Sequence, residues 1–412
     1  MSVVAVAAEK VAREGGEQIV AAQISGVGEP YRLWYRVPAA AALDDVAIGH
    51  ALAVSVITQA MAVGRDVALD LPLTRGLVQN LDEFQRVWAT WHPDRFRRVA
   101  LRPSALVDDE PFRSERGAAV GFSLGVDSCF SAHTLARAGD LGGLVAVRGL
   151  EVGLADDGRW DGMVKGVAAC ARALDRPFIA ASTNWEECAV RRPGYLGYHL
   201  PIVAALALVS RGFGWGAVPS SYSYAHLTVP LETNPLTDPM LGRPGFPLRQ
   251  HGAWARRIEK VAAIAAWPEA VRHLRPCDAI RPDGTACGRC RKCVHSALMF
   301  AALGHAVPDA LGGRIPSPEQ IAGIDVTPYA RLSLTEVLAA ARGRGCAEPW
   351  VAAVEARLAR AGGATRSADE ADRAERQLRY VLGVGPRSAA SRYLRRLGRA
   401  LRGRTRPRSW PD

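Results

Sequence analysis

Cys277, Cys287, Cys290 and Cys293 lie within the segment Cys-Asp-Ala-Ile-Arg-Pro-Asp-Gly-Thr-Ala-Cys-Gly-Arg-Cys-Arg-Lys-Cys. Two successive Cys-x-x-Cys steps supply neighbouring thiolates to one ion. The loop back to Cys277 closes a four-sulfur shell that suits tetrahedral zinc. Gly288 lets the backbone turn between two of the ligands. An iron–sulfur cluster takes similar cysteine runs and is the rival reading. A closed four-sulfur zinc shell is structural, so any reacting groups must lie elsewhere in the chain.

The second segment with chemistry is Gly121-Phe122-Ser123-Leu124-Gly125-Val126-Asp127-Ser128. It falls where a short apolar strand pattern gives way to an amphipathic helix pattern. Ser123 offers a hydroxyl, Gly125 permits close backbone approach, and Asp127 and Ser128 open the helix. Backbone N–H groups and the helix dipole favour an anion at such a point, and pyrophosphate is the natural occupant. No Gly-Lys-Ser/Thr follows, so the turn is not a Walker A loop. It does not fit Gly-x-Gly-x-x-Gly either. Taken alone, such a turn is as well explained by simple helix capping.

The elements that must position these segments can be read from the pattern around them. From Gly117 the chain alternates strands and helices. Strands are expected at Ala118–Phe122, Leu144–Val147, Phe178–Ala181 and Trp215–Pro219, and helices at Asp127–Arg137, Asp161–Leu174 and His199–Arg211. That alternation predicts a parallel sheet with right-handed crossovers. Pro230, Pro235, Pro239, Pro244 and Pro247 predict a long loop after it. Helix returns at Arg257–Ala266, ahead of the cysteines, and Ser317–Ala341 and Trp350–Leu358 predict a small helical part. Before Gly117, Gln18–Gly26, Tyr31–Val37, Val67–Leu71 and Val99–Arg102 read as strands, with helices over Ala40–Met61 and Asn80–Thr90. The expected divisions are an N-terminal α/β domain (1–112), a parallel-sheet α/β domain (113–270), the cysteine segment (271–310), a helical part (311–365) and a basic tail (366–412).

The bulk properties set limits. A chain of 412 residues suggests two or three domains. Charged residues inside Met1–Gln23 argue against a secretory signal. No apolar run is long enough to span a bilayer, Leu200–Val209 being the best. Reduced thiols and a cytoplasmic location are the expectation. The net charge of +11 owes much to nine arginines between Arg387 and Arg408, where Asp412 is the only acid after Arg387. This tail is either a solvated terminus or a contact for nucleic acid or another anionic partner.

Ser123-Leu124-Gly125-Val126-Asp127-Ser128 resembles the Ser-Gly-Gly-x-Asp-Ser signature of the PP-loop ATP pyrophosphatases. Combined with Cys-x9-Cys-Gly-x-Cys-x-x-Cys, it resembles the 7-cyano-7-deazaguanine synthase (QueC/ExsB) branch. The resemblance covers the span Gly117–Leu303 and includes Glu259-Lys260 ahead of a short helix that leads to Cys277. It implies an α/β, adenine nucleotide alpha hydrolase-like (HUP-type) parallel-sheet domain with a zinc-bound cysteine segment. The small N-terminal α/β domain and the tail are additions to it. It further implies that Ser123, Leu124, Gly125, Val126, Asp127 and Ser128 hold the pyrophosphate of ATP, with Asp127 near magnesium.

The implied reaction adenylates a small carboxylate or carbonyl oxygen, and ammonia, an amine or a sulfur donor then displaces AMP. Positive groups are needed where charge grows on the departing pyrophosphate. Lys260 and Arg257 are the candidates, with Lys165 weaker. Pro219–Tyr224 and Thr183-Asn184 follow strands at the same sheet edge. His226, His251 and Asp238 are further polar candidates. Residue 2 is Ser and no glutaminase is visible, so free ammonia or a separate amine donor is implied. Leu124 stands where the signature has glycine, and Ser221–Gly252 lacks the deazaguanine-binding pattern. A divergent relative is therefore expected. An RNA-modifying enzyme such as a tRNA thiolase and a catalytically inactive nucleotide-binding protein are the alternatives. A homodimer is compatible with each.

Overall fold

The computed structural model describes residues 3–360 except 190, 191, 193, 228, 278–280 and 282–284. The expected basic tail, 366–412, lies outside the described residues. The chain forms two compact units, Met1–Ile315 and Pro316–Asp412.

Alternating β-branched and aromatic residues make the first strands of the larger unit: β1 (Val4–Ala8), β2 (Ala12–Glu14), β3 (Glu17–Ser25) and β4 (Tyr31–Pro38). Helix α1 (Asp45–Val63) begins where the Asp44 carboxylate accepts a hydrogen bond from Ala47 N at 2.7 Å. That cap sets its start later than the expected Ala40. By length and composition α1 is apolar enough to cross a membrane, which corrects the expectation drawn from uninterrupted apolar runs. His50, Ser55, Thr58 and Gln59 break the run, yet every residue from Ala47 to Met61 is buried. These polar groups are placed within the protein: Ser55 Oγ pairs with the Tyr35 hydroxyl and His50 Nε2 with Leu241 O, each at 2.7 Å. Then come β5 (Val67–Leu69), β6 (Leu73–Thr74), α2 (Arg75–Trp91), β7 (Leu101–Pro103) and β8 (Leu106–Val107). Thr74 caps α2 and starts it ahead of the expected Asn80.

The alternating region follows as β9 (Ala118–Gly121), α3 (Val126–Ala138), β10 (Leu141–Arg148), α4 (Asp157–Ala173), β11 (Phe178–Thr183), α5 (Trp185–Ala189), α6 (His199–Leu208), β12 (Trp215–Pro219) and β13 (Leu248–His251). β13 lies in the stretch expected to be all loop. Among the described residues it pairs only with β12, and an edge strand tolerates Pro247 at its entrance. Helices α7 (Arg257–Ala265), α8 (Pro268–Arg272) and α9 (Arg291–Leu303) complete the unit.

Eleven strands share one sheet in the order β13-β12-β9-β10-β11-β4-β3-β1-β5-β7, with β2 on β3. β13, β12, β9, β10 and β11 are mutually parallel. Numbered along the chain from β9, their order is 3-2-1-4-5 read from β11. It reverses between β9 and β12. The antiparallel pair β4–β11, with Arg36 opposite Ser182 and Tyr35 opposite Thr183, joins these strands to those of the first hundred residues. The side chains of Thr183 and Asn184 secure that junction: Thr183 Oγ1 donates to Trp34 O, while Asn184 accepts from Trp34 N and donates to Arg32 O, all at 2.8 Å.

In the second unit, α10 (Pro318–Ala322) starts at a capping box between Ser317 and Gln320. α11 (Pro328–Gly343) and a helix over 349–360 follow. Arg342 pairs with Glu355 at 2.7 Å, and Arg357 Nη2 donates to Ile324 O at 2.6 Å.

Candidate active site

In open parallel sheets ligands collect beyond the carboxyl ends of the strands where the strand order reverses. Here that position lies between β9 and β12, and Phe122–Gly125 leads from β9 into α3 at that edge. Helix α3 has Gly125 as its N-cap and no side-chain cap, so its first-turn N–H groups have no side-chain acceptor. A Cβ built on Gly125 would stand 3.4 Å from Ser123 Oγ and 4.0 Å from Ser128 Oγ. The missing side chain therefore leaves a small cradle bordered by two hydroxyls. Ser128 Oγ donates to Gly125 O at 3.0 Å and accepts from Ser123 N at 3.3 Å, which fixes the turn. Such a cradle at a helix N-terminus suits an anion.

Leu124 adopts φ +62°, a left-handed conformation that favours glycine. Its side chain is fully buried and turned away from the cradle: Leu124 Cδ1 lies 2.8 Å from where a Cβ on Gly166 would stand. Glycine at 166 in α4 thus makes room for leucine at 124. The leucine stiffens the turn without filling it.

Asp127, in the first turn of α3, meets both expected cations. Arg257 Nη1 donates to its Oδ2 at 2.6 Å and Lys260 Nζ to its Oδ1 at 3.1 Å. Burial pushes the Asp127 carboxyl up, but Arg257 and Lys260 more than offset this and hold it below the ordinary carboxylate value. Lys260 is 1% exposed, lies over the Phe130 ring and also donates to Ser220 O just beyond β12. It therefore bridges the carboxyl ends of the two strands that flank the reversal. Arg256 and Glu259 pair at the entrance of α7 and fix the turn that presents both cations.

Ser220 continues inward. Its hydroxyl donates to Gln250 Oε1 at 3.2 Å, and Gln250 Nε2 donates to Asp238 Oδ2 at 3.2 Å. Asp238 is fully buried, and burial pushes its carboxyl up to about 7 despite hydrogen bonds from Thr233, Asn234 N and Gln250. His251, at the end of β13, stands edge-on to the exposed Trp254 at 4.6 Å. Burial, and secondarily Lys260, lower its pKa to about 4, so the ring is neutral at pH 7. His226 pairs with Ser223 at 3.4 Å. Lys165 is exposed on α4, and Thr183 and Asn184 belong to the strand junction already described.

The four cysteines converge. Their sulfurs all lie within 4.8 Å of one another, with Cys287 and Cys293 3.8 Å apart. Four sulfurs at about 2.3 Å from a tetrahedral ion stand about 3.8 Å apart, so the cluster fits a metal such as zinc. Cys290 is the N-cap of α9, and Gly288 takes φ +70° between two ligands. Cys287 N and Cys290 N point hydrogen bonds at the sulfurs of Cys277 and Cys287.

Two residues at this edge carried no signal in the sequence reading. Gln250 links Ser220 to Asp238; the strand it sits on was hidden among prolines. Arg275 donates its backbone N–H to Leu124 O at 2.8 Å and carries a buried guanidinium. Its only sequence cue is that it lies two residues before Cys277. No family model, curated protein or solved structure matches this chain.

Proposed function

We propose that the chain is an ATP-dependent ligase of the PP-loop type, forming AMP and pyrophosphate. It adenylates a small carboxylate or carbonyl oxygen and lets ammonia or an amine displace AMP. The observation that carries this reading is the uncapped α3 N-terminus with its open Gly125 cradle, set beside Asp127, Arg257 and Lys260 where the strand order reverses. The 3-2-1-4-5 order of the parallel strands supports an adenine nucleotide alpha hydrolase-like (HUP-type) domain.

In this reading Ser123–Ser128 holds the β- and γ-phosphates of ATP. The acceptor oxygen attacks the α-phosphorus, the bond to the bridging oxygen breaks, and pyrophosphate leaves with the electron pair. Negative charge grows on the leaving group, and Lys260 and Arg257 stand where they can stabilise it without first reorganising. Asp127 keeps both cations in place. The nitrogen nucleophile then attacks the acyl carbon, AMP departs and the nitrogen loses a proton. Asp127 would also be the residue to hold magnesium, which would supply further charge neutralisation for the phosphates. Cys277, Cys287, Cys290 and Cys293 hold a structural zinc ion that fixes the start of α9.

ATP–pyrophosphate exchange driven by a panel of small carboxylic acids tests the proposal. Exchange with AMP and pyrophosphate as the products is expected. Release of ADP and phosphate instead would reject it.

A further inference from the structure

We propose that Arg275 is a further ligand for the phosphate oxygens held by the Ser123–Ser128 turn, an inference that rests on the nucleotide-binding reading above. The residue is 6% exposed, and its Nε and Nη1 are buried with no hydrogen-bond partner among the described residues. An arginine stays charged at any physiological pH, and its planar fork carries five donors. Burying such donors unmatched is costly, so a guanidinium held this way calls for an acceptor.

Its surroundings point to the acceptor. Arg275 N donates to Leu124 O, and Arg275 O lies 3.9 Å from where a Cβ on Gly125 would stand. The residue is therefore bound directly to the back of the turn whose N–H groups lack a side-chain cap. Glu151, Cys277 and Arg159 lie close enough to interact electrostatically with its side chain. Glu151 lies just after β10, at the same sheet edge as the turn, and is exposed to solvent. The chain at Arg275 thus runs beside the cradle, two residues before the first cysteine of the cluster. Lys260 and Arg257 reach Asp127 from α7, whereas Arg275 comes from the segment that runs into Cys277. A phosphate chain in the cradle would have cations from two separate elements. A guanidinium fork matches two phosphate oxygens at once, which a lysine cannot do.

The competing destination for this charge is the thiolate of Cys277, and one experiment separates the two. Inorganic pyrophosphate is titrated calorimetrically into the full-length, metal-loaded wild type, Arg275→Gln and Arg275→Lys. Bound zinc and thermal midpoint are measured on the same samples. Losing a charged hydrogen-bonding partner should weaken pyrophosphate binding about tenfold or more in Arg275→Gln. Arg275→Lys should recover part of that loss, with zinc retained in both. Affinity within about twofold of wild type in Arg275→Gln overturns the proposal, whether or not zinc is lost. If Arg275→Gln fails to fold, Arg275→Lys decides, because it keeps the charge and lacks the fork; unchanged affinity there overturns the proposal equally. A wild type that binds no pyrophosphate overturns the nucleotide reading itself, whereas wild-type binding that ignores the substitutions overturns only the role of Arg275.

Discussion

Helices α1 and α3 begin with similar residues and end up with opposite chemistry. At α1 the Asp44 carboxylate caps Ala47 N and pairs with Arg211, which also holds Glu110 at 2.6 Å. There the N-cap side chain supplies the acceptor that α3 lacks, and Arg211 pairs with both acids. At α3 the N-cap is Gly125, which has no side chain to offer, and the first-turn acid Asp127 is held by Arg257 and Lys260 instead. The helix end has no side-chain cap, and Nε and Nη1 of the adjoining Arg275 have no hydrogen-bond partner among the described residues. What sets the α3 end apart is an N-cap that offers its first turn no side-chain acceptor, beside an acid that gathers two cations.

The comparison breaks most visibly at Asp127. Lys260 is almost wholly buried, and Asp127→Ala removes the carboxylate it is bonded to. Such losses cost about 3–5 kcal/mol. Chemical denaturation followed by tryptophan fluorescence should show a loss of that order. A loss below about 1 kcal/mol, the scale of an exposed pair, would mean that the cluster is no more essential than a surface contact.

Ligand protection sharpens the contrast next. At a pyrophosphate concentration near 100 times its dissociation constant, the wild type should gain about 2.7 kcal/mol of apparent stability. Gly125 has φ −75° and ψ 161°, an extended conformation that valine tolerates. Gly125→Val should therefore fold, fill the cradle between Ser123 and Ser128 and lose that gain. Asp44→Ala should keep it, since the α1 terminus takes no part. Equal protection of all three proteins would place the anion elsewhere.

The two helix ends also differ in how far they could be read from the sequence. The Ser-Leu-Gly-Val-Asp-Ser turn was legible because local residue types fix local backbone: a glycine N-cap needs no partner to announce itself. The convergence of Lys260 and Arg257 on Asp127 was legible only through the family resemblance, because the contact spans 130 residues and more. The cysteine spacing was legible for the same local reason as the turn. What stayed hidden depends on distant packing. Leu124, which stands where the signature has glycine, is accommodated by Gly166 of the distant helix α4. Gln250 sat on an edge strand disguised by prolines. Thr183 and Asn184 looked like ligand residues because they end a strand, yet β4 pairs there and takes their hydrogen bonds. The strands of the first hundred residues were mostly visible, but no pattern in them predicts that they extend the same sheet.

The buried network behind Lys260 predicts a pH dependence of a particular sign. Asp238 has its pKa raised from 3.8 to about 7 by burial. The stabilisation tied to its bound proton is complete below the unfolded value and is lost as pH rises through about 7. The slope contributed is about 1.4 kcal/mol per pH unit within that window. Asp127, with a lowered value, acts the other way: its contribution persists above 3.8 and fades only as pH falls through its lower folded value. Denaturation of wild type and Asp238→Asn from pH 4 to 8 should give a difference that grows up to about pH 7 and then levels off. A difference that does not change with pH would show that Asp238 ionises normally in the folded protein.

The smallest effect belongs to Asp44→Ala. The substitution removes the α1 cap, worth about 1 kcal/mol. It also removes one arm of a partly exposed pair that contributes about 0–1 kcal/mol. Arg211 keeps Glu110, and the buried Arg243 nearby keeps Glu110 and Asp109 as charged neighbours. The fall in stability should therefore be a small fraction of that in Asp127→Ala, with pyrophosphate affinity unaltered in calorimetry. If Asp44→Ala instead weakened pyrophosphate binding as much as Gly125→Val, closure of one helix end and openness of the other would not explain where the anion goes. The α1 terminus would then have to be counted as part of the site.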